Sequence, residues 1–175
     1  TRICHVTSAS EFGWRTGNGK WSPAWPDNLP PVLNIGQGSP TNLIYTSEAK
    51  FPSKFQNALL AFDWSFGIIY AIKLTPKGST YDAKAEEFLS GSPLPLTDGV
   101  IGPDGALYFM TGGRRLESDL YRVYYDGGEK ENSPQATALN DINNDNKLRR
   151  TLEEFHRGPR KGGVDLAWPN LKHKD

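Results

Sequence analysis

The fold class is decided by the stretch Thr97-Asp-Gly-Val-Ile-Gly-Pro-Asp-Gly-Ala-Leu-Tyr-Phe-Met110. Thr97 to Gly102 has the composition of a β-strand, and Ala106 to Met110 has that of a returning strand. Pro103-Asp-Gly105 between them is a tight turn, because proline fixes φ at one position and glycine allows a positive φ at another. Leu120 to Tyr125 continues as a third strand with alternating faces. The stretch therefore predicts an antiparallel β unit.

A similar unit precedes it. Ala58 to Phe62 and Ile68 to Leu74 are apolar runs typical of strands, and Thr75-Pro-Lys-Gly78 has the residues of a turn. Ala83 to Leu89 returns either as a third strand or as one helical turn. Two successive units of roughly 30 to 40 residues, each with about three strands, are typical of propeller blades. Two blades cannot close a ring, so we expect part of a propeller whose other blades lie elsewhere.

The last part of the chain predicts helix. Glu129 to Asn140 is polar and aperiodic, which indicates a linker. Lys147 to His156 carries apolar residues at helical spacing, with Asp145 or Asn146 available as the N-cap. Val164 to Trp168 begins a second helix. The predicted fold is mainly β, with a short α-helical segment at the end. The predicted domains are the C-terminal part of a β-propeller (1–128), a linker (129–144) and the start of a helical domain (145–175).

Composition excludes several classes of protein. The 175 residues carry 20 Lys and Arg against 20 Asp and Glu, so the formal net charge is zero. This balance argues against a nucleic-acid partner, which needs a basic face. Mean hydropathy is -0.58 and the longest apolar stretches are short, so we expect no membrane-spanning segment. Cys4 alone forms no intrachain disulfide. Thr1 to Ser10 lacks the apolar core of a signal peptide, and we expect a chain processed or cut from a longer one.

An ordered series of motifs resembles the glucose/sorbosone dehydrogenase-like β-propeller family. It is most similar to large bacterial members named as membrane-bound or haem-binding dehydrogenases, in which HEAT-like helices and a c-type cytochrome domain follow the propeller. Leu148 to Trp168 is similar to the first of those helices. The resemblance covers nearly the whole chain, and these motifs carry it: Glu11-Phe-Gly-Trp-Arg15, Ile35-Gly-Gln-Gly-Ser-Pro-Thr41, Ala58-Leu-Leu-Ala-Phe-Asp-Trp64, Gly67-Ile-Ile-Tyr-Ala-Ile-Lys-Leu74, Gly102-Pro-Asp-Gly-Ala-Leu-Tyr-Phe109, Gly112-Gly-Arg114 and Leu120-Tyr-Arg-Val123.

The resemblance implies a six-bladed propeller that oxidises a sugar or alcohol with pyrroloquinoline quinone (PQQ) and Ca²⁺ and passes electrons to a cytochrome. It also implies a periplasmic or exported protein. The family's catalytic His would lie before residue 1 and its haem motif after residue 175, so we expect no haem in this chain. The family's quinone-binding Lys and Arg residues align near Ser65, Pro95 and Thr97. A tricarboxylate quinone needs cationic partners, so these three residues weaken that implication.

Two functions therefore stand side by side. In the first, the chain is a fragment of a sugar or alcohol dehydrogenase-like oxidoreductase. In the second, it is a non-catalytic propeller that serves as a binding or scaffold module and has lost the quinone site. The motif series favours the first function, because it indicates common ancestry with the dehydrogenases. The absence of Lys and Arg at Ser65, Pro95 and Thr97 favours the second.

Four residues are candidates for substrate or cofactor binding, and the catalytic residue stays unknown. Arg114 lies on a Gly-rich loop between strands, where it would contact an anion or a carbohydrate, or form a surface ion pair. Asp98 would orient a ligand, or fix its own turn. Trp64 would stack on a sugar, or pack in the core. Arg15 follows Gly13 and would reach the pocket, or pack locally.

No metal site is predicted. Asp141-Ile-Asn-Asn-Asp-Asn146 is similar to a calcium loop, but Leu152 stands where the bidentate Glu is required. A polar linker ending in a helix cap is the favoured interpretation. The three histidines have no metal-ligand spacing.

Overall fold

The computed structural model describes residues 1–12, 28–127 and 143–175, and most of its regular structure is β. The strands are β1 (Arg2–Ile3), β2 (Leu33–Asn34), β3 (Pro40–Tyr45), β4 (Leu59–Asp63), β5 (Ile68–Lys77), β6 (Thr80–Ser90), β7 (Leu96–Ile101), β8 (Leu107–Thr111) and β9 (Leu120–Val123). The α-helices are α1 (Asn144–Glu153) and α2 (Gly163–Ala167), and short 3-10 helices cover Ser53–Phe55, Glu154–Arg157 and Trp168–Asn170.

The described strands form three antiparallel sheets. β1 pairs with β2, β3 to β6 form a four-stranded sheet in chain order, and β7 to β9 form a three-stranded sheet in chain order. None of these sheets closes into a barrel within the described residues. The predicted mainly β class is confirmed. No helix of the described chain is long and apolar enough to cross a membrane.

The chain divides into two compact units. The first consists of Thr1 and residues 35–74 and 83–140, and so contains most of the two larger sheets. The second consists of residues 2–34, the hairpin tip at 75–82 and residues 141–175. The domain boundaries expected from the sequence stay a prediction, and the expected linker falls largely on residues outside the described ranges.

The core of the first unit lies between the two larger sheets. Phe62 on β4 meets Phe109 on β8 with their rings edge to face at a centroid distance of 6.5 Å. Both side chains are almost fully buried, as are Leu60, Ile69 and Leu107. Burial of aromatic and aliphatic groups on facing sheets is the main favourable contribution to this packing.

The two larger sheets are built on one repeated plan. In the first sheet the pairing shifts by one residue between Pro40 and Asn42, and in the second it shifts between Leu96 and Asp98. Each shift is a β-bulge centred on a threonine, Thr41 or Thr97. After the bulge, the strands of the two sheets pair in equivalent registers.

Directly opposed residues share a face, so the registers assign equivalent rows across the sheets. The row Asn42–Phe62–Ile69 of the first sheet corresponds to Asp98–Met110–Leu120 of the second. The row Ile44–Leu60–Ala71 corresponds to Val100–Tyr108–Arg122. In the first sheet both rows face the second sheet. In the second sheet the equivalent rows form the outer face.

Two local details differ from the sequence prediction. The expected turn at Thr75 to Gly78 is shifted, because β5 continues to Lys77 and the chain reverses at Gly78-Ser79. β4 pairs with β5 only as far as Ile72, so Pro76 needs no hydrogen bond on that side and is tolerated in the strand. Ala83 to Leu89 lies in a strand, one of the two alternatives.

Helix α1 starts earlier than its apolar spacing predicts. The N-cap is Asn143, whose side chain accepts a hydrogen bond from the Asn146 backbone N–H. Asp145 and Asn146, the expected caps, lie inside the first turn instead. Of the calcium-like stretch 141–146, the first two residues lie outside the described ranges, and Asn143 has the capping role that the favoured interpretation gave to this region.

Candidate functional site

One end of the first unit gathers three loops. They are the β4–β5 turn at 64–67, the loop 91–95 that precedes β7, and the β8–β9 loop at 112–119. Backbone hydrogen bonds join them: Gly91 N–H donates to the Gly67 carbonyl at 3.0 Å, and Gly112 N–H donates to the Pro95 carbonyl at 2.9 Å. We call this loop end the rim.

Trp64 is the best-positioned aromatic residue of the rim. Its indole Nε1–H donates to the Gly112 carbonyl at 2.9 Å, and the side chain remains 38% exposed. A Cβ added at Gly113 would lie 3.3 Å from the ring atom Cζ2, so glycine lets the loop lie against the indole. Trp64 is therefore not packed inside the core, which was the other interpretation of this residue from the sequence. A ring held by its polar edge with an exposed portion suits stacking on a ligand.

Asp63 fixes the start of the turn that carries Trp64. It is 3% exposed, and its Oδ1 accepts backbone N–H bonds from Ser39, Ser65 and Phe66 at 2.9 to 3.2 Å. The Trp64 backbone N–H donates in turn to the Ser39 carbonyl. A buried carboxylate with three such donors has a defined position. The indole is therefore presented by a pre-organised turn.

Arg114 lies on the rim, in the loop whose glycine pair Gly112-Gly113 contacts Trp64. It is exposed, and Gly113 and Leu116 around it close a single β-bridge. Arg115 has a positive φ of 63°, which is uncommon for a residue with a side chain. The structure thus places Trp64 beside the glycine pair of the Arg114 loop, and a binding role for either residue stays a prediction.

Asp98 does not belong to the rim loops. Its Oδ1 accepts from the Asn42 side-chain Nδ2 at 2.7 Å and from the Gly99 backbone N–H at 2.8 Å. Asp98 therefore holds its own backbone through Gly99, as the second interpretation from the sequence had it, and in addition it bonds to Asn42 on the neighbouring sheet. Arg15, the fourth candidate, lies outside the described residues.

The rim does not fit a tricarboxylate quinone. Ser65 and Pro95 lie on its loops and Thr97 follows them, and the Thr97 hydroxyl donates to the Met110 carbonyl at 3.0 Å. Within the described part of the rim, Arg114 and Arg115 are the cationic side chains. Three carboxylates would need more positive partners than this. Across residues 1–12, 28–127 and 143–175, no cluster of three His, Cys, Asp or Glu side chains is placed to hold a metal ion.

The second unit has a polar cluster of its own beside a cleft of about 280 Å³. Glu153 accepts from the Ser8 backbone N–H at 3.0 Å and from Arg149 at 2.8 Å, and Arg149 also donates to the Ser79 carbonyl. Burial acts to raise the pKa of Glu153, but the bonds from Ser8 and Arg149 outweigh it and lower that pKa. The Ser8 hydroxyl is hydrogen-bonded to His156. The bond to Ser79 ties α1 to the hairpin tip and the bonds to Ser8 tie the helical segment to the N-terminal segment, so the cluster is structural.

Two features, one on the rim and one at the contact between the two larger sheets, were not predicted from the sequence. Phe66 and Leu116 are 56% and 46% exposed and add apolar surface near the indole. A signal was present, since large apolar residues in loops next to a Trp and an Arg are typical of binding surfaces. Asn42 was also missed, because its partner lies on a different sheet.

Comparisons with known proteins give one loose likeness. A solved structure from Thermus thermophilus, described as a proposed oxidoreductase (glucose dehydrogenase), matches with 21% sequence identity and a TM-score of 0.46. The match covers 58% of this chain and 30% of that chain. No protein-family profile matches this chain, and no curated protein does.

Proposed function

We propose that this chain supplies two blades of a β-propeller related to sugar and alcohol dehydrogenases, and that its rim contacts the carbohydrate substrate. The observation that carries the proposal is the position of Trp64, with its Nε1–H bonded to the Gly112 carbonyl and part of its ring exposed beside the Arg114 loop. Sugars present C–H groups that pack on an indole and hydroxyls that a guanidinium can bind.

The chemistry assigned to this chain is binding and orientation. Trp64 would stack on one face of the sugar ring, and Arg114 would donate to its hydroxyl oxygens, so that the sugar is held in one pose. When bound elsewhere in the larger protein, PQQ would accept the electrons, with Ca²⁺ as its companion ion. We assign no residue of this chain to the quinone. The catalytic residue stays unknown.

The remaining parts of the proposal concern the larger protein. We propose that further blades and a cytochrome c domain are its partners, that the helical segment from residue 145 begins a HEAT-like domain, and that the protein is periplasmic or exported. These statements follow from the motif resemblance. The sequence of the complete gene product tests them, since it either contains or lacks the further blades, the cytochrome c domain and an export signal.

A second candidate function is a non-catalytic binding or scaffold module. The scarcity of cations at Ser65, Pro95 and Thr97 favours it, since a propeller that lost its quinone could keep the Trp64 surface for carbohydrate binding.

The deciding experiment uses the complete gene product that contains this sequence. The protein is supplied with PQQ and Ca²⁺, and sugar-dependent reduction of an electron-acceptor dye is measured over a panel of aldoses and polyols. We expect turnover with at least one sugar. We expect Trp64→Ala to lower kcat/KM about 10-fold, the equivalent of one aromatic contact. Trp64→Phe, which keeps a ring but loses the bond to Gly112, should be intermediate.

Matched variants separate binding from general damage. Trp168→Ala removes an exposed Trp of the second unit, and Arg157→Ala is the counterpart for Arg114→Ala; both controls should leave kcat/KM unchanged. Sugar binding without dye reduction would support the binding module instead. A protein that neither binds sugars nor reduces the dye would contradict both functions.

A further inference from the structure

The rim carries more exposed apolar surface than the indole of Trp64 alone. Trp64 is 38% exposed, Phe66 is 56% exposed and Leu116 is 46% exposed. Trp64 and Phe66 belong to the β4–β5 turn, and Leu116 belongs to the β8–β9 loop. The proposed function uses only the indole of this set. Large apolar side chains grouped beside a binding surface indicate that an apolar part of the ligand binds there.

Gly113 connects the aromatic and the aliphatic parts of this surface. A Cβ added at Gly113 would lie 3.2 Å from the Leu116 atom Cδ1 and 3.3 Å from the Trp64 atom Cζ2. Leu116 and Trp64 therefore lie against the same glycine, and their surfaces adjoin. Phe66 is two residues from Trp64 in the same turn. We call Trp64, Phe66 and Leu116 the apolar rim patch, which continues from the surface already assigned to the sugar.

Backbone hydrogen bonds hold Leu116 and Phe66 in place. The Leu116 N–H donates to the Gly113 carbonyl at 3.2 Å, and these two residues pair as a β-bridge. The Phe66 N–H donates to Oδ1 of the buried Asp63 at 3.2 Å. Because the backbone is already ordered, a ligand that packs on these side chains has little conformational entropy to remove from the protein. The apolar rim patch is therefore pre-organised.

The charges of the rim loops balance. All three loops lie within the described residues, and their charged side chains are two cations and two anions: Arg114, Arg115, Glu117 and Asp119. No net charge therefore favours an anionic or a cationic ligand. Gly113 and Leu116 close the turn that has the two arginines at its tip. Hydrogen-bond donors thus lie next to apolar surface, which suits a neutral ligand with a hydroxyl-bearing part and an apolar part.

We propose that the ligand of the rim is a neutral glycoside, a sugar linked to an alkyl or aryl group, and that Phe66 and Leu116 bind the alkyl or aryl group. The inference rests on the proposed function, because it takes the sugar to lie on Trp64. It adds the class of sugar derivative. Phe66 and Leu116 are then specificity-determining residues that select among sugars by what the sugar carries.

Binding of matched glycosides to the complete gene product tests the inference. Dissociation constants are measured by calorimetry for the methyl and hexyl glycosides of the aldoses in the panel, below the concentration at which the hexyl compounds form micelles. We expect the hexyl glycoside to bind about 10-fold more tightly than the methyl glycoside, because part of its chain leaves water on Phe66 and Leu116. 1-Hexanol, which has the chain but no sugar, should bind more weakly than either glycoside.

Variants locate the gain in affinity on the rim. Leu116→Ala and Phe66→Ala should each reduce the ratio of hexyl to methyl affinity from about 10-fold to about 3-fold. Leu171→Ala removes an exposed leucine of the second unit and should leave the ratio unchanged.

The outcomes separate this inference from the proposed function. Equal affinities of the two glycosides, or a ratio that persists in Leu116→Ala and Phe66→Ala, would overturn the inference and leave sugar binding at the rim in place. Binding of free aldoses without binding of either glycoside would have the same meaning. 1-Hexanol that binds as tightly as the hexyl glycoside would also overturn it, since the patch would then be general apolar surface. If neither sugars nor glycosides bind, the proposed function fails as well.

Discussion

Asn42 and Asp98 occupy equivalent positions of the two repeated sheets and are hydrogen-bonded to each other. The Asn42 side-chain nitrogen Nδ2 donates to Asp98 Oδ1 at 2.7 Å, and the same nitrogen donates to the Gly99 carbonyl. Each residue follows the bulged threonine of its own sheet. The pair therefore fixes one repeat against the next at the bulge, where the first strands of the two sheets lie side by side.

Loss of the Asn42 side chain should weaken this connection. Asn42→Ala removes the two hydrogen bonds to the second sheet and the bond that the Leu43 backbone N–H donates to Asn42 Oδ1. Each contributes about 1 kcal/mol, so we expect the free energy of unfolding to fall by about 1–3 kcal/mol. Chemical denaturation measures it. Asn42→Asp places a second carboxylate beside Asp98 and should destabilise more at pH 7 than at pH 3. If Asn42→Asp were insensitive to pH, the two side chains would not be in contact.

Gly99 should be intolerant of a side chain. The Cβ of alanine would lie 2.7 Å from the Phe62 ring and 3.0 Å from the Tyr108 carbonyl oxygen. We expect Gly99→Ala to cost about 1–3 kcal/mol in unfolding free energy through overpacking. Val100→Ala, at the next residue but on the exposed face, should change that free energy by about 0.5 kcal/mol or less. Equal effects of the two substitutions would contradict the assigned faces.

The sequence predicted the strands and turns whose formation depends on residues close together in the chain. The turn Pro103-Asp-Gly105 and its flanking strands follow from residues within one hairpin, and the structure has them within a residue or two. β3, at Pro40–Tyr45, was not predicted, because its burial depends on β4 and on the second sheet. The sequence placed Pro76 in a turn, whereas it lies in β5. A proline is tolerated there because β4 stops pairing with β5 at Ile72, and this end of the pairing cannot be read from the sequence.

Asp104 should titrate at an unusually low pH for an exposed carboxyl. The hydrogen bond from Arg122, followed by those from the Ala106 backbone and the Tyr108 hydroxyl, lowers the pKa of Asp104 to about 2. The unfolded chain takes up this proton near the ordinary value of 3.8, so the contribution to stability is present above that pH and is lost as the pH falls toward 2. Carboxyl-carbon NMR measures the pKa.

Arg122→Gln is the informative variant for Asp104. It removes the guanidinium that donates at 2.8 and 3.1 Å and should return the pKa of Asp104 most of the way to 3.8. Arg157→Gln, in the second unit, should leave the Asp104 pKa where it is. An unchanged Asp104 pKa in Arg122→Gln would show that the ion pair is not formed in solution.

His5 should make the second unit sensitive to mild acid. Burial lowers the pKa of His5 first, and the charge of Arg149 lowers it further. The unfolded chain is protonated near the ordinary value of 6.5 while the folded chain is still neutral, so stability is full above that pH and falls as the pH drops through the lowered folded-state pKa. Amide hydrogen exchange in α1, compared between pH 7.5 and 5.5, measures the change.

The control for His5 is a variant that does not titrate. His5→Gln can still bond to the Thr80 hydroxyl, which His5 reaches at 3.1 Å, and its α1 exchange protection should change much less between the two pH values. The same loss of protection in both proteins would assign the acid sensitivity to another group.

For the candidate site, Trp64 and Arg114 were predicted from their position in loops and their side-chain chemistry, both of which can be read from the sequence alone. The sequence favoured core packing for Trp64, whereas the partly exposed position of the ring depends on contacts with Gly112 and Gly113, which are distant in sequence. Asp98 was assigned to a ligand or its own turn, whereas its bond to Asn42 arises only when two sheets pack face to face.

The central claim, that the rim around Trp64 binds carbohydrate, is tested most directly by the indole Nε1–H resonance of Trp64 during titration with aldoses and polyols. We predict a saturable shift of the Trp64 resonance, absent in Arg114→Ala or displaced to higher sugar concentrations, while the exposed Trp168 resonance stays constant. A Trp64 resonance that does not move at saturating concentrations of any sugar in the panel, or one that moves in step with Trp168, would contradict the account.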